Sequence, residues 1–166
     1  MNFLKPEEYQ SECELLFQEY RTVILDLLPG VIVEHIGSSA IPGAISKGDL
    51  DVFVGVEKSK FEVVVQKLKL LNFLESQTSL RSPELCMLDS QVEPNLALQV
   101  VALGSVYESF IEFRDILRLN PVLVAKYNNL KVSCIGMSAV DYREHKREFI
   151  EQVLESEHNQ ALQSNR

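Results

Sequence analysis

The sequence predicts an α/β (α+β) fold: a mixed β-sheet flanked by helices, with a helical C-terminal third. Three observations carry this expectation. Short β-branched runs at Val31–Ile36 and Asp49–Val56 read as strands, and shorter strand-like pieces follow near 73–77, 80–88 and 96–103. Segments with apolar residues every three or four positions stand before and between them. From about Ser105 onward the periodicity is helical alone. The resulting order, α-β-α-β-α-β-β-β-α-α-α, is that of a sheet covered by helices.

Each element has its own local signal. Pro6 suits the first turn of a helix, and Tyr9, Cys13, Leu16, Tyr20, Val23 and Leu27 give that helix an apolar stripe before Pro29-Gly30 stops it. A short helix is expected after Val31–Ile36, capped by Ser38 or Ser39 and ended near Lys47-Gly48. Ser59-Lys60-Phe61-Glu62 has the form of a capping box, and Phe61, Val64, Val65, Leu68 and Leu71 supply the next stripe. Pro83 and Pro94 separate the later strands. Ser105-Val106-Tyr107-Glu108 is a second capping box, Pro121 opens the next helix, and Ser138 starts the last, whose polar tail is expected to fray from about Glu157. No repeat or low-complexity linker divides the chain, so residues 1–166 read as one domain, with a core at about 30–104 and a helical part at about 105–156.

Composition narrows the possible functions. The 166 residues carry 24 Asp and Glu against 16 Lys and Arg, a formal net charge of −8. That balance argues against generic nucleic-acid binding and against an anionic membrane surface, both of which need clustered positive charge. No apolar run approaches the roughly 20 residues of a membrane span, and Met1–Glu8 has no apolar signal core, so a cytoplasmic location is expected. Cys13, Cys86 and Cys134 are odd in number and far apart, and His35, His145 and His158 do not cluster. Reduced buried thiols are therefore expected, and an oxygen-ligand metal site remains where a His/Cys site does not.

The chemistry-bearing stretch is Val33–Gly43 followed by Lys47-Gly48-Asp49-Leu50-Asp51-Val52. On a strand, Leu50, Val52, Val54 and Val56 share one face and Asp49 and Asp51 the other, with Cα atoms about 6.5–7 Å apart. Two such carboxylates converge on hard divalent cations, Mg2+ or Mn2+, and their mutual repulsion raises one pKa when no cation is present. Gly37 lets the backbone approach a ligand, while Ser38 and Ser39 at a helix start suit a phosphate. Together they describe phosphoryl-transfer chemistry on a nucleoside triphosphate. The bland alternative is a turn, an N-cap and ordinary strand-end acids.

These residues resemble a known pattern. Gly37-Ser38, ten residues, and Asp49-Leu50-Asp51 are similar to the signature of the DNA polymerase beta-like nucleotidyltransferase superfamily. More closely, His35-Ile36-Gly37-Ser38-Ser39-Ala40-Ile41-Pro42-Gly43 resembles the H-I-G-S-T-[AS]-V-P-G motif of the GrpB-like family. So do Phe113-Arg114-Asp115-Ile116-Leu117-Arg118, Pro121, Tyr127, Leu130-Lys131 and Tyr142–Ile150, in the same order, so that the likeness runs from about Val33 to Leu154. The resemblance implies a nucleotidyltransferase-like fold and, from it, a reaction class without a substrate. The chain departs from the family at Asp49, which restores the superfamily's acid pair. It departs again at Leu96-Ala97-Leu98-Gln99-Val100, where the family's strand histidines are lost and Ala97 and Gln99 occupy the side that often bears a third carboxylate. Glu93 or Asp89 is the candidate replacement.

The basic residues complete the expected site. Lys47, Arg114, Arg118, Lys131 and Lys146 are candidates for phosphate binding, set against a solvated or ion-paired surface as the alternative. Tyr127/Lys131 and Tyr142/Lys146 are i, i+4 pairs that suit a base and a phosphate, or else a core-edge tyrosine beside a solvated lysine. His35 either orients the Gly-Ser turn or contacts phosphate, or is a hydrogen-bonded structural residue. Cys86 and Met87 read as core, and the charge run 141–157 as a solvated helix face. The expected function is metal-dependent nucleotidyl transfer to an unknown acceptor. The alternatives are a non-catalytic nucleotide-binding or regulatory module on the same fold, and an interaction domain that works beside a partner enzyme.

Overall fold

In the computed structural model, which describes residues 1–165, five strands form one mixed sheet in the order β1-β2-β5-β4-β3. They are β1 (Ile32–Ile36), β2 (Leu50–Val56), β3 (Phe73–Glu75), β4 (Leu85–Ser90) and β5 (Leu96–Ala102). The helices are α1 (Pro6–Leu27), α2 (Phe61–Leu68), α3 (Ser109–Arg118), α4 (Pro121–Ser133) and α5 (Ala139–Ser164). β2 and β5 run parallel and every other neighbouring pair is antiparallel. The mixed α+β fold and its helical C-terminal part match the sequence reading.

The two faces of the sheet differ in what covers them. Leu50, Val52, Val54 and Val56 of β2 join Leu98 and Val100 of β5 and Val33 of β1 in the main core, beneath α1 and α2. Alternation along the strands sends Ile36, Asp51, Phe53, Gln99, Leu85 and Met87 to the opposite face. There Ile36, Phe53, Leu85 and Val101 form a smaller cluster with Tyr107, Phe110 and Ile111. The rest of that face is left open as the floor of a cleft.

Several local expectations shift. The buried stripe of α1 is Tyr9, Cys13, Phe17 and Ile24, with Val23 exposed and Leu16 only partly covered, because the helix is rotated by about one residue on the sheet. Neither capping box forms: residues 58–60 and 106–108 are single 3-10 turns without a side-chain cap. Glu108 instead accepts from the Gly104 amide. Asn120 and Ser138 do cap α4 and α5. α5 runs on to Ser164, beyond the expected fraying point.

The largest correction concerns residues 38–48. Only one 3-10 turn, Ser38–Ala40, follows β1, so no helix N-terminus faces the site. Pro42 and Gly43 prevent a longer helix, and the segment's carbonyls are met instead by side chains from distant elements. Tyr9 donates to the Ala44 carbonyl, Gln10 to Ile41, Arg118 to Ala40 and Asn128 to Gly43. A buried irregular segment requires this kind of external satisfaction. Ile41 and Ala44 pack into the apolar cluster of the helical third, which ties that third to the sheet.

Candidate functional site

β1 and β2 deliver the Gly-Ser turn and the acid pair to one place. Ile36 pairs with Asp51 in the antiparallel register, so Gly37 and Ser38 pass directly over the N-terminal end of β2. Gly37 has φ +75°, and a Cβ built on it would stand 2.7 Å from Oδ2 of Asp51. Glycine is required here both for its backbone conformation and for this close approach. The cleft above it has a volume of about 560 Å³, and Gly37, Ser38, Lys47, Asp49, Asp51, Lys131 and Lys146 all line it.

The charges in the cleft are held by burial as much as by pairing. Burial raises the Asp51 pKa to about 6, the Asp49 and Asp89 charges push the same way, and Lys146 and a hydrogen bond from Gln99 oppose the rise. On the facing wall Lys131 is 1% exposed. Its Nζ donates to Ser38 Oγ at 2.6 Å and to the Ile45 carbonyl at 2.5 Å, and lies 4.2 Å from the centre of the Tyr127 ring. Burial, aided by Lys146, lowers its pKa to about 7, with Asp49 as a weaker opposing influence. No carboxylate within salt-bridge distance balances this ammonium among the described residues. Lys47 and Lys146 lie 5.5 and 5.1 Å from the Tyr142 ring centre, so one buried tyrosine carries both cations at the cleft edge.

Other expected site residues are placed elsewhere. Ser39 turns away from the cleft, and its Oγ lies 2.8 Å from His35 Nε2. His35 Nδ1 meets Glu14 Oε2 at 2.7 Å, and its ring stacks on Phe17, so the histidine links α1 to the Gly-Ser turn. Burial lowers the His35 pKa against the pull of Glu14, which favours the neutral ring with its proton on Nδ1. Arg114 and Arg118 do not line the cleft. Arg114 is buried, pairs with Glu34 at 2.7 Å and Asp115 at 2.9 Å, and donates to the His35 carbonyl. Arg118 donates to the Ala40 carbonyl at 2.8 Å. Both arginines fasten α3 to the turn, Arg114 through buried charge-assisted bonds and Arg118 through its Nε alone, and neither side chain reaches the cleft lining. Glu93 lies outside the cleft, with Tyr20 of α1 in its electrostatic field.

Some lining residues escaped the sequence reading. Met87, read as core, lies on the cleft floor beside Gln99, and Phe110 closes the same end. Arg143 and Arg147 come from the charge run read as a solvated face. The i, i+4 repeat of Tyr142, Lys146 and Ile150 marked the inward side of α5, but no local signal marks Phe110.

A divalent cation would find Asp49 and Asp51 in the cleft lining, while Asp89 stands in the same sheet row as Asp51, beyond Ala97 and outside that lining. No group of three or more Asp, Glu, His or Cys side chains placed to hold a metal ion occurs among the described residues. The parallel register sets Ala97 beside Asp51 and Gln99 beside Phe53. This donor set does not form an all-protein cage. It fits magnesium, which is ordinarily held by one or two carboxylates together with substrate phosphates.

Comparison with known proteins identifies a family and a fold. The family model described as GrpB protein matches residues 5–156. A UPF0157 protein of Vibrio cholerae is 51% identical over 154 residues, covering 93% of this chain and 82% of its relative. The glutamate-rich protein GrpB of Alkalihalophilus pseudofirmus is 26% identical over 132 residues, covering 74% and 76%. Among solved structures, the conserved protein GrpB from Enterococcus faecalis superposes with a TM-score of 0.67 at 19% identity, covering 91% of this chain and 98% of that one. Cid1, described by its RNA terminal uridylyl transferase activity, superposes at 0.51 with 13% identity over 73% of this chain and 37% of its own. These likenesses establish the nucleotidyltransferase-like fold. No helix among the described residues is long and apolar enough to cross a membrane.

Proposed function

The chain belongs to the GrpB family, and from that footing we propose that it binds a nucleoside triphosphate with a divalent cation and transfers the nucleotidyl group to an acceptor. The observation that carries this reading is the approach of Gly37 to Asp51, 2.7 Å from a would-be Cβ to Oδ2, on the floor of a cleft whose other wall is cationic. Asp49 and Asp51 would hold the cation, which when bound neutralises charge on the transferring phosphate and on the departing pyrophosphate. Ser38 and the buried ammonium of Lys131 serve the phosphates. Lys131 has no carboxylate at salt-bridge distance among the described residues, and a phosphate entering the cleft would supply an anion. Lys47 and Lys146 add positive charge at the edge, anchored on Tyr142. The structural neighbour Cid1 has been solved with MgATP and with MgGTP bound, which makes the same ligand class a reasonable first choice here.

Isothermal titration of a non-hydrolysable triphosphate, with and without magnesium, tests the binding step. Magnesium should strengthen binding in the wild type, and Asp49→Asn or Asp51→Asn should abolish that gain. Equal magnesium-dependent affinity in all three proteins overturns the assignment.

A second reading is favoured by one observation. Ala97 takes the position beside Asp51 where an acid would complete a triad, and Gln99 stands in the next row. A nucleotide-binding or regulatory module without turnover needs no third acid. Labelled triphosphate separates the two: pyrophosphate release that Asp51→Asn abolishes supports transfer, and tight binding without release supports the module.

A further inference from the structure

The cleft is polarised along the direction of β2, and the polarity bears on the acceptor. Ser38, Lys131 and Lys47 gather at the N-terminal end of the strand, with Asp49 leading into it. In the opposite direction the row after Asp51 is Phe53, Gln99 and Met87, and the row after that contains Gly55, Val101 and Leu85. Phe110 of α3 packs against the cluster that includes Leu85. Leu85, Met87 and Phe110 therefore form an apolar slot on the far side of Asp51 from Ser38 and Lys131, with the Gln99 amide at its inner edge.

In-line displacement puts the attacking and leaving oxygens on opposite sides of the phosphorus. With the leaving phosphates at Ser38 and Lys131, the attacking group enters from the slot. We infer that the acceptor is a small, uncharged molecule with an apolar body and a hydroxyl group, seated against Leu85, Met87 and Phe110, and not a polynucleotide. This rests on the transferase reading above. A polynucleotide acceptor would carry phosphates against the apolar side chains of Leu85, Met87 and Phe110, in a chain of net charge −8. In the reaction the acceptor oxygen forms the new bond to the α-phosphorus. The bond from that phosphorus to the bridging oxygen breaks, its electron pair leaves on pyrophosphate, and the hydroxyl proton passes to water at the cleft mouth.

The test uses 2-naphthol, a fluorescent hydroxylated probe, against a protein that contains no tryptophan. It should bind saturably, both alone and with magnesium and a non-hydrolysable triphosphate present. Phe110→Asp and Met87→Lys should each weaken naphthol at least tenfold and leave nucleotide affinity within about twofold. Met87 is only half-buried, so Met87→Lys keeps the test intact if Phe110→Asp does not fold. Displacement of naphthol by the nucleotide overturns the inference, since the slot would then hold the base. So does unchanged naphthol affinity in the variants, or a short oligouridylate that binds as tightly as the nucleotide. Naphthol binding without any magnesium-dependent nucleotide binding overturns the transferase reading itself, and the acceptor role with it.

Discussion

Oδ2 of Asp51 occupies the space that a side chain on Gly37 would need, with 2.7 Å between the oxygen and an ideal Cβ. The carboxylate thus sits directly against the backbone of the turn. Their pairing across β1 and β2 in the Ile36–Asp51 register makes the contact a product of the sheet.

Gly37→Ala tests this contact directly. The backbone at φ +75°, ψ −175° is a conformation essentially confined to glycine, and it costs another residue about 1–3 kcal/mol. The clash should also turn the Asp51 carboxylate away from the cleft. The expected outcome is a melting temperature lower by several degrees, together with at least a tenfold loss of magnesium-dependent nucleotide affinity. Ordinary affinity in the variant would show that Asp51 can serve its role from another rotamer.

Asp51→Asn should stabilise the metal-free protein. The wild-type carboxyl has its pKa raised by burial to about 6, so the folded state keeps a proton that the unfolded chain releases near 4. Stability is therefore present in full at acid pH and is lost as pH rises through the window from about 4 to about 6. Removing the charge abolishes that loss, a gain of about 1–3 kcal/mol at pH 7 after allowance for the open cleft. Thermal unfolding from pH 4 to pH 8 should show a falling curve for the wild type and a flatter one for the variant. Parallel curves would contradict the burial argument.

Lys131 gives the opposite slope in a different window. Its folded-state pKa is lowered to about 7, so between about 7 and 10 the unfolded chain holds a proton that the folded chain has given up. Stability should rise with pH across that interval, and Lys131→Met should remove the rise. The same variant should weaken triphosphate binding by at least tenfold. A preserved slope in the variant would assign the pH dependence to another group.

Arg114→Ala should act on stability and not on ligand affinity. The substitution leaves Glu34 and the His35 carbonyl without their partner beneath α3. Loss of a buried guanidinium with charged partners costs about 2–4 kcal/mol, less than a fully enclosed pair because Glu34 is partly exposed. Unfolding in denaturant should show that loss, while nucleotide affinity measured well below the melting temperature stays within about twofold. A tenfold loss of affinity would restore Arg114 to the phosphate site.

The order of the elements and the meeting of Gly37, Ser38, Asp49 and Asp51 were legible in the sequence because each depends on local chemistry. Alternation put both acids on one side of β2, and a Gly-Ser turn beside a strand has few places to go. Lys131 and Lys146 were legible through their i, i+4 tyrosines, which mark the inward side of a helix. What the chain concealed depends on partners far away in sequence. Ser39 turns to His35, which Glu14 holds in place, and Arg118 Nε reaches the Ala40 carbonyl, 78 residues away. The helix expected at 39–47 failed for the same reason: the hydrogen bonds that replace it come from α1, α3 and α4.

That borrowed scaffolding has a kinetic consequence. The contacts that the helical third makes to residues 38–48 close loops of 78 to 93 residues, from Arg118–Ala40 to Lys131–Ser38, against 31 and 35 for those from Gln10 and Tyr9 of α1. Contacts of such long range form only after the intervening chain has condensed. The sheet with α1 and α2 can collapse around its own core, but the turn over Asp51 acquires its shape only when the helical third docks. A chain still emerging from the ribosome, or one cut before α4, would lack the Lys131 contacts to Ser38 and Ile45 that shape one wall of the cleft. The shape of the cleft arrives last, as a property of the finished molecule.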